Sequence, residues 1–181
     1  MEQNRTLIII RRWALGLSIP VALELVYYSY RSFARAWRFC FGEPERWNSH
    51  WAVDPGTVIE TGPRIGYFLL WGSVNLASIL CYVIGLALLI MIWRGRLFDP
   101  LIGRVVRLLG GALAFSMAWD QLFQAFDLYL VTRFNADGPH PIRWVYDPSD
   151  IKSFSLGVIL FLFGWVMLKG LDVARENRSF V

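Results

Sequence analysis

Several polar side chains lie close together in an otherwise apolar stretch, FSMAWDQLFQAFDLYLV, at residues 115–131. Asp120 and Asp127 are seven residues apart, which is nearly two turns of an α-helix, so they share one helix face with Gln124 between them. Two carboxylates and an amide on one face can hydrogen-bond within a helix bundle, pair with basic groups, or line a path for cations or protons. Which of these applies depends on the element that positions them.

That element is predicted to be a membrane helix. Apolar residues make up 56% of the chain and charged residues only 18%, against about 25% in typical soluble domains. Four apolar segments have the length of transmembrane spans, and they lie at about residues 13–30, 65–93, 108–132 and 154–173. The sequence therefore predicts an all-α integral membrane bundle of four transmembrane helices with two outer loops, forming a single domain over residues 1–181.

The distribution of Lys and Arg predicts the orientation of the spans. Ten of the 18 basic residues fall in the segments on the side of the two chain ends, and the remaining eight fall in the two longer loops on the other side. Because short cytoplasmic segments carry the excess of basic residues, both termini are expected to be cytoplasmic.

Carboxylates inside such spans are costly. An Asp at the centre of a membrane helix costs roughly 2.5–3.5 kcal/mol on insertion scales, so Glu24, Asp120, Gln124 and Asp127 are expected to face protein or water. Counted along their own spans, Glu24 and Asp120 both lie about 17–18 Å from the inner end, near the midplane. Asp127 lies closer to the outside and is expected to tolerate substitution better than Asp120. Structural hydrogen bonding, pairing with another membrane subunit and ion passage all remain open as roles.

A second pattern follows the first span, in the stretch YYSYRSFARAWRFCF. Arg31, Arg35 and Arg38 are spaced i, i+4 and i+7, which places them on one helical face, whereas Phe33 and Trp37 lie on other faces. One interpretation is a helix end that leaves the bilayer through the headgroups, with anionic lipids as partners. The other is a docking surface for a partner subunit, because Trp and Arg are typical hot-spot residues. Arg31, Arg35, Trp37 and Arg38 are therefore candidate contact residues.

The remaining residues offer little for catalysis. The only two histidines, His50 and His140, are both predicted to lie in loops, and Cys40 and Cys81 are predicted at different depths, which argues against a disulfide. The chain has no zinc-binding spacing, phosphate-binding glycine loop or nucleophile elbow. No catalytic residue, metal, cofactor or nucleic-acid partner is expected, despite a net charge of +4. Three glycines in or just before the third span suit close helix packing better than catalysis: Gly103, Gly110 and Gly111.

The segment GRLFDPLIGRVVRLLG, at residues 95–110, and the C-terminal LGVILFLFGWVMLKGLDVARENRSFV carry a resemblance to a family. Both are similar to segments of the small four-span bacterial membrane proteins grouped as domain of unknown function 2975. The family pattern has Gly-x-x-Phe and then Val-Arg followed by a Gly leading into span three, and a Gly followed by Glu-Asn at the end of span four. It is matched here by Gly95, Phe98, Val106, Arg107, Gly110, Gly170, Glu176 and Asn177. The resemblance implies a protein of the bacterial inner membrane and assigns no catalytic residue.

These observations favour a non-enzymatic accessory or scaffolding subunit of a larger membrane complex. Its expected partners are other integral membrane subunits and anionic lipids. The alternative is a small transporter or channel component that uses the intramembrane carboxylates. A subunit is expected to use the stripe from Arg31 to Trp37 for docking, whereas a transporter is expected to have a polar cavity that reaches Asp120.

Overall fold

The computed structural model describes residues 2–42, 54, 60–97, 99–142, 144 and 148–179, and this part of the chain contains four long helices and no strand. They are α1 (Glu2–Phe41), α2 (Thr61–Trp93), α3 (Pro100–Thr132) and α4 (Pro148–Ser179). All four are long and apolar enough to cross a membrane. The predicted fold class, an all-α membrane bundle of four helices, is confirmed. Each helix extends beyond the span predicted from hydropathy.

Local sequence explains how the turn between α2 and α3 is made. The backbone N–H of Gly95 donates to the carbonyl of Ile92, and Gly95 has a φ of +80°, a left-handed conformation that glycine adopts without strain and that ends helices. At the start of α3, the side chain of Asp99 accepts a hydrogen bond of 2.9 Å from the backbone N–H of Leu101. This cap, followed by Pro100 in the first turn, fixes the point where α3 begins.

The helices pack in the order of the chain, and α3 against α4 is the most extensive contact. Glycines on both helices bring the two backbones together. A Cβ atom added at Gly110 would lie 2.6 Å from the carbonyl oxygen of Gly157, and one added at Gly164 would lie 2.5 Å from the backbone nitrogen of Arg107. No side chain larger than hydrogen fits there, so the expectation of close packing is met at Gly110. Gly103 is similarly close to Leu168, whereas Gly111 makes only ordinary contact with Phe161.

Side chains rather than backbones join the other pairs of helices. The Tyr28 hydroxyl of α1 donates to the Asn75 side chain of α2 at 3.2 Å, and the Trp119 indole N–H of α3 donates to the Ser73 hydroxyl of α2 at 3.0 Å. Within the described residues, α1 packs only on α2 and α4 packs only on α3. The four helices therefore form an open row in which α1 and α3 flank α2 without closing over it.

These contacts also show which residues share a depth in the membrane. We call the side that holds both chain ends the terminal face and the opposite side the loop face. Near the terminal face, the Arg11 side chain donates to the Trp93 carbonyl at 2.7 Å. Arg12 and Arg31 of α1 are 19 residues apart, or about 28 Å along a helix. That length matches a hydrocarbon core of about 30 Å, and we therefore take Arg12 and Arg31 as the two edges of that core, with Arg31 at the loop-face edge.

Beyond that edge, α1, α2 and α3 continue together as a three-helix extension. Its core contains Cys40, Tyr67 and Val131, one from each helix, packed among aromatic side chains such as Phe39 and Phe123. In contrast, α4 starts at the level of Gln121, because the Gln121 side chain donates a hydrogen bond to Asp150 in the first turn of α4. The last three turns of α3 therefore extend past the start of α4.

Candidate functional site

Asp120 lies where α3 meets the beginning of α4. Its carboxylate accepts a hydrogen bond of 2.8 Å from the Gln124 side chain, one turn further along α3. The adjacent Gln121 binds Asp150 of α4, and Asp120 itself is partly buried. This polar group of two carboxylates and two amides lies at the loop-face edge of the membrane core, where α4 starts.

The contacts between helices set the level of Asp120 relative to Glu24, whereas its depth in the bilayer stays a prediction. Trp119 is level with Ser73 of α2, and Tyr28 is level with Asn75, which places Asp120 about level with Arg31 of α1. Glu24 lies seven residues before Arg31, about 10 Å deeper in the bilayer. Asp120 is 20 residues from Pro100, the first residue of α3, rather than the 12 residues counted from position 108, because α3 begins before its apolar run. Glu24 and Asp120 do not form a shared site at the midplane.

Asp127 has a different environment from Asp120. Its carboxylate accepts a hydrogen bond from the Tyr67 hydroxyl of α2, inside the three-helix extension and beyond the membrane core. Tyr67 is itself buried, with 8% of its surface exposed. This hydrogen bond joins α2 and α3.

Glu24 lines a polar groove between α1 and α2. The groove has a volume of about 340 Å³, and the side chains of Arg31, Arg35, Tyr28 and Asn75 also line it. Glu24 is exposed, and within the described residues no basic side chain lies within 4 Å of its carboxylate. Of the three acids and one amide singled out in the sequence, Glu24 is thus the one whose side chain faces an open groove within the membrane core.

An apolar groove continues from the polar groove toward the terminal face. It has a volume of about 570 Å³, and Tyr28 lines both grooves. Its floor is formed by small residues of α2, Ser78, Cys81 and Gly85, and its far wall by α3 residues that include Leu113. The groove exists because α1 and α3 both pack on α2 and leave a gap between them. Neither groove is lined by Asp120.

The structure places the arginines and the aromatic residues of α1 on separate faces, as their spacing predicts. Arg31 and Arg35 line the polar groove, whereas Phe33 and Trp37 stack on each other with ring centroids 6.0 Å apart and contact Phe68 of α2 edge-on. Arg38, also exposed, donates from its side chain to the carbonyl of Ala34 on its own helix at 3.1 Å. The predicted contact residues therefore belong to two different surfaces.

Sequence reasoning missed Asn75 and Tyr67, which position the polar groove and Asp127. Asn75 could have been recognised from the sequence, because it is the only amide side chain between Arg64 and Arg94. Tyr67 had none, since tyrosines near membrane interfaces are common and its partner is 60 residues away. Cys40 and Cys81 are both free thiols, as their different depths predicted.

The predicted absence of a metal site stays a prediction for the chain as a whole. The part of the chain that the structure describes contains no group of three or more metal-ligating side chains. His50 lies outside the described residues, and the backbone N–H of His140 donates to the Thr132 hydroxyl at 2.8 Å.

Comparison of the chain with protein-family models, with curated proteins and with solved structures gives no match.

Proposed function

We propose that this protein is a non-enzymatic accessory or scaffolding subunit of a larger membrane complex, and that it binds another integral membrane subunit through an aromatic face of α1. This aromatic face consists of Tyr30, Phe33 and Trp37. The observation that carries the proposal is their exposure, which is 74%, 60% and 52% respectively. The three residues lie on one side of the helix at i, i+3 and i+7.

Depth distinguishes this face from an ordinary lipid-facing surface. Trp37 lies six residues beyond Arg31, about 9 Å past the edge of the hydrocarbon core. The headgroup region on each side is only about 5–8 Å thick, so the Trp37 ring reaches its outer limit. A large apolar side chain that is half exposed to water at this level is typical of a binding surface.

The aromatic face is also preorganised. Phe33 and Trp37 both pack edge-on against Phe68, with ring centroids 6.1 and 6.2 Å apart. Because the rings are already ordered, binding a partner would cost little conformational entropy at these side chains. Arg31, Arg35 and Arg38 flank the aromatic residues on the neighbouring side of α1, which gives the apolar centre and charged rim that protein interfaces commonly have.

The geometry favours this role over a transporter or channel component, the alternative from the sequence. Ion passage would require the intramembrane carboxylates to meet in one polar cavity. Instead, Glu24 lines the polar groove, Asp120 binds Gln124 near the start of α4, and Asp127 binds Tyr67 outside the core. The residues are divided among three environments, and two of the three have hydrogen-bond partners.

We propose the bacterial inner membrane as the location, with both chain ends in the cytoplasm. The distribution of Lys and Arg supports the orientation, and the resemblance to the family of domain of unknown function 2975 supports the membrane. The loop face, which carries the aromatic face, would then lie on the periplasmic side.

The test is purification in mild detergent after cross-linking of intact membranes. Wild type should be recovered with one stoichiometric membrane partner, and Phe33→Ala combined with Trp37→Ala should lose it, because hot-spot residues contribute about 2 kcal/mol or more each. Trp165→Ala is the matched control, since Trp165 is equally exposed, at 51%, but lies on α4. Retention of the partner by the double variant, or a wild-type protein that has no partner, would show the proposal to be wrong.

A further inference from the structure

We propose that the polar groove between α1 and α2 and the apolar groove between α1 and α3 form one binding site for a phospholipid. In this site Arg31 and Arg35 bind the phosphate, and an acyl chain lies in the apolar groove beneath it. The site is on the arginine side of α1 and does not include the aromatic face, so it is independent of the proposed docking role.

The first argument is the continuity of the site. Tyr28 lines both grooves, and its hydroxyl bonds to Asn75 at the point where they meet. On α2, residues Asn75, Ser78 and Gly85 follow one another at helical spacing along the floor. A single elongated ligand can therefore extend from the polar end to the apolar end without crossing a helix.

The second argument is the match between polarity and depth. Arg31 lies at the loop-face edge of the hydrocarbon core, and Arg35 lies one turn further out, where lipid phosphates are found. The apolar groove lies on the other side of Tyr28, inside the core, with Leu113 and Leu109 in its wall. Glu24 also lines the polar groove, but the two arginines leave the groove with a net positive charge. A positively charged groove above an apolar channel is the chemical complement of an amphiphile with a phosphate headgroup.

The third argument concerns the arginines themselves. Arg31 donates to the Tyr27 hydroxyl at 3.2 Å, which orients its guanidinium, and among the described residues no carboxylate lies within 4 Å of Arg31 or Arg35. Guanidinium groups bind phosphate oxygens through paired hydrogen bonds. Two such groups one turn apart can bind one phosphate together.

The fourth argument is the space on the floor of the apolar groove. A Cβ atom added at Gly85 would meet no other atom within 4 Å, and the neighbouring floor residues Ser78 and Cys81 are also small. The gap persists because no Cα atom of α1 lies within 8 Å of a Cα atom of α3 in the described part of the chain. In a bilayer, such an apolar gap is filled by lipid chains.

The experiment measures lipids retained by the purified full-length protein, using native mass spectrometry with phosphatidylglycerol and with diacylglycerol of identical chains. Wild type should retain phosphatidylglycerol in preference to diacylglycerol. Arg31→Ala combined with Arg35→Ala should reduce that preference roughly thirtyfold, from about 1 kcal/mol for each basic residue near the headgroups. Gly85→Leu should reduce retention of both lipids, because it fills the apolar groove.

Arg38→Ala is the matched control, since it removes the same charge from the same helix but Arg38 lines neither groove. It should change the preference by less than twofold. An equal loss in Arg38→Ala would show only general electrostatic attraction. No loss in the double variant would show that Arg31 and Arg35 do not bind the phosphate. Either result would overturn the site.

A second measurement does not depend on how the variants fold. Phosphatidylglycerol with a photoreactive group in its acyl chain should label wild-type protein at groove residues such as Cys81 and Leu113. Leu76 and Leu80, which are exposed on α2 but do not line the grooves, should remain unlabelled. Labelling of Leu76 and Leu80 to the same extent would mean that lipid contacts α2 indiscriminately, and the proposed site would be rejected.

Discussion

The two ends of the helix row are held together in different ways. Between α3 and α4, glycines at residues 103, 110, 157 and 164 let one backbone contact the other, and no side chain separates them. Between α1 and α2, the contact is made by long side chains, including those of Tyr28 and Arg11. Lipid supplies no hydrophobic force between membrane helices, so close van der Waals packing stabilises the first pair and hydrogen bonds from side chains contribute to the second.

This difference has a consequence for function. A backbone contact leaves no space, so neither groove lies between α3 and α4. A contact made by side chains leaves gaps, and both grooves border α1 and α2. The surfaces that we propose for docking and lipid binding both belong to the loosely packed part of the molecule.

The largest effect is expected where a methyl group enters the glycine contact. Gly110→Ala should lower the free energy of unfolding by about 3 kcal/mol, the upper range for overpacking, because its Cβ would lie 2.6 Å from the Gly157 carbonyl oxygen. Gly85→Ala is the control and should stabilise α2 by up to about 1 kcal/mol through helix propensity. Unfolding in mixed micelles measures both. Equal stability of the two variants would contradict the distinction between the two kinds of contact.

An intermediate effect is expected at the contact between α2 and α3. Asp127→Leu should cost about 1–3 kcal/mol, since it leaves the buried Tyr67 hydroxyl without this acceptor. Asp120→Leu should cost less, because the Gln124 amide that it releases belongs to the same helix and lies at the membrane edge. The same unfolding assay compares the two. This order is the reverse of the one expected from the sequence, and a larger loss in Asp120→Leu would restore the original expectation.

The smallest effect is expected at the terminal end of the contact between α1 and α2. Arg11→Ala removes a hydrogen bond to the Trp93 carbonyl at the end of α2, and it should cost about 0.5–1 kcal/mol. Arg12→Ala, at an exposed neighbouring position, should cost less than half of that. Cysteine cross-linking between the ends of α1 and α2 would detect the loosening. If both variants behave alike, the Arg11 contact does not hold the pair together.

Sequence alone determined the class of the molecule. Apolar runs of the length of a bilayer specify four membrane helices, since the backbone of a lipid-exposed segment must satisfy its own hydrogen bonds. Periodicity likewise separated the arginine and aromatic faces of α1, because residues three, four and seven positions apart share a helix face whatever the helix packs against. The glycines of α3 were recognisable as packing residues for the same local reason.

Only the tertiary structure decided the depths and partners of the polar residues. The start of α3 is set by the Asp99 cap and the Gly95 turn, which are independent of the hydropathy profile, so the apolar run alone does not show where α3 begins. The assignment of Asp127 to Tyr67, and the gap between α1 and α3, depend on how far each helix slides along its neighbour. That offset is fixed by contacts between residues distant in sequence, and no short-range pattern contains it.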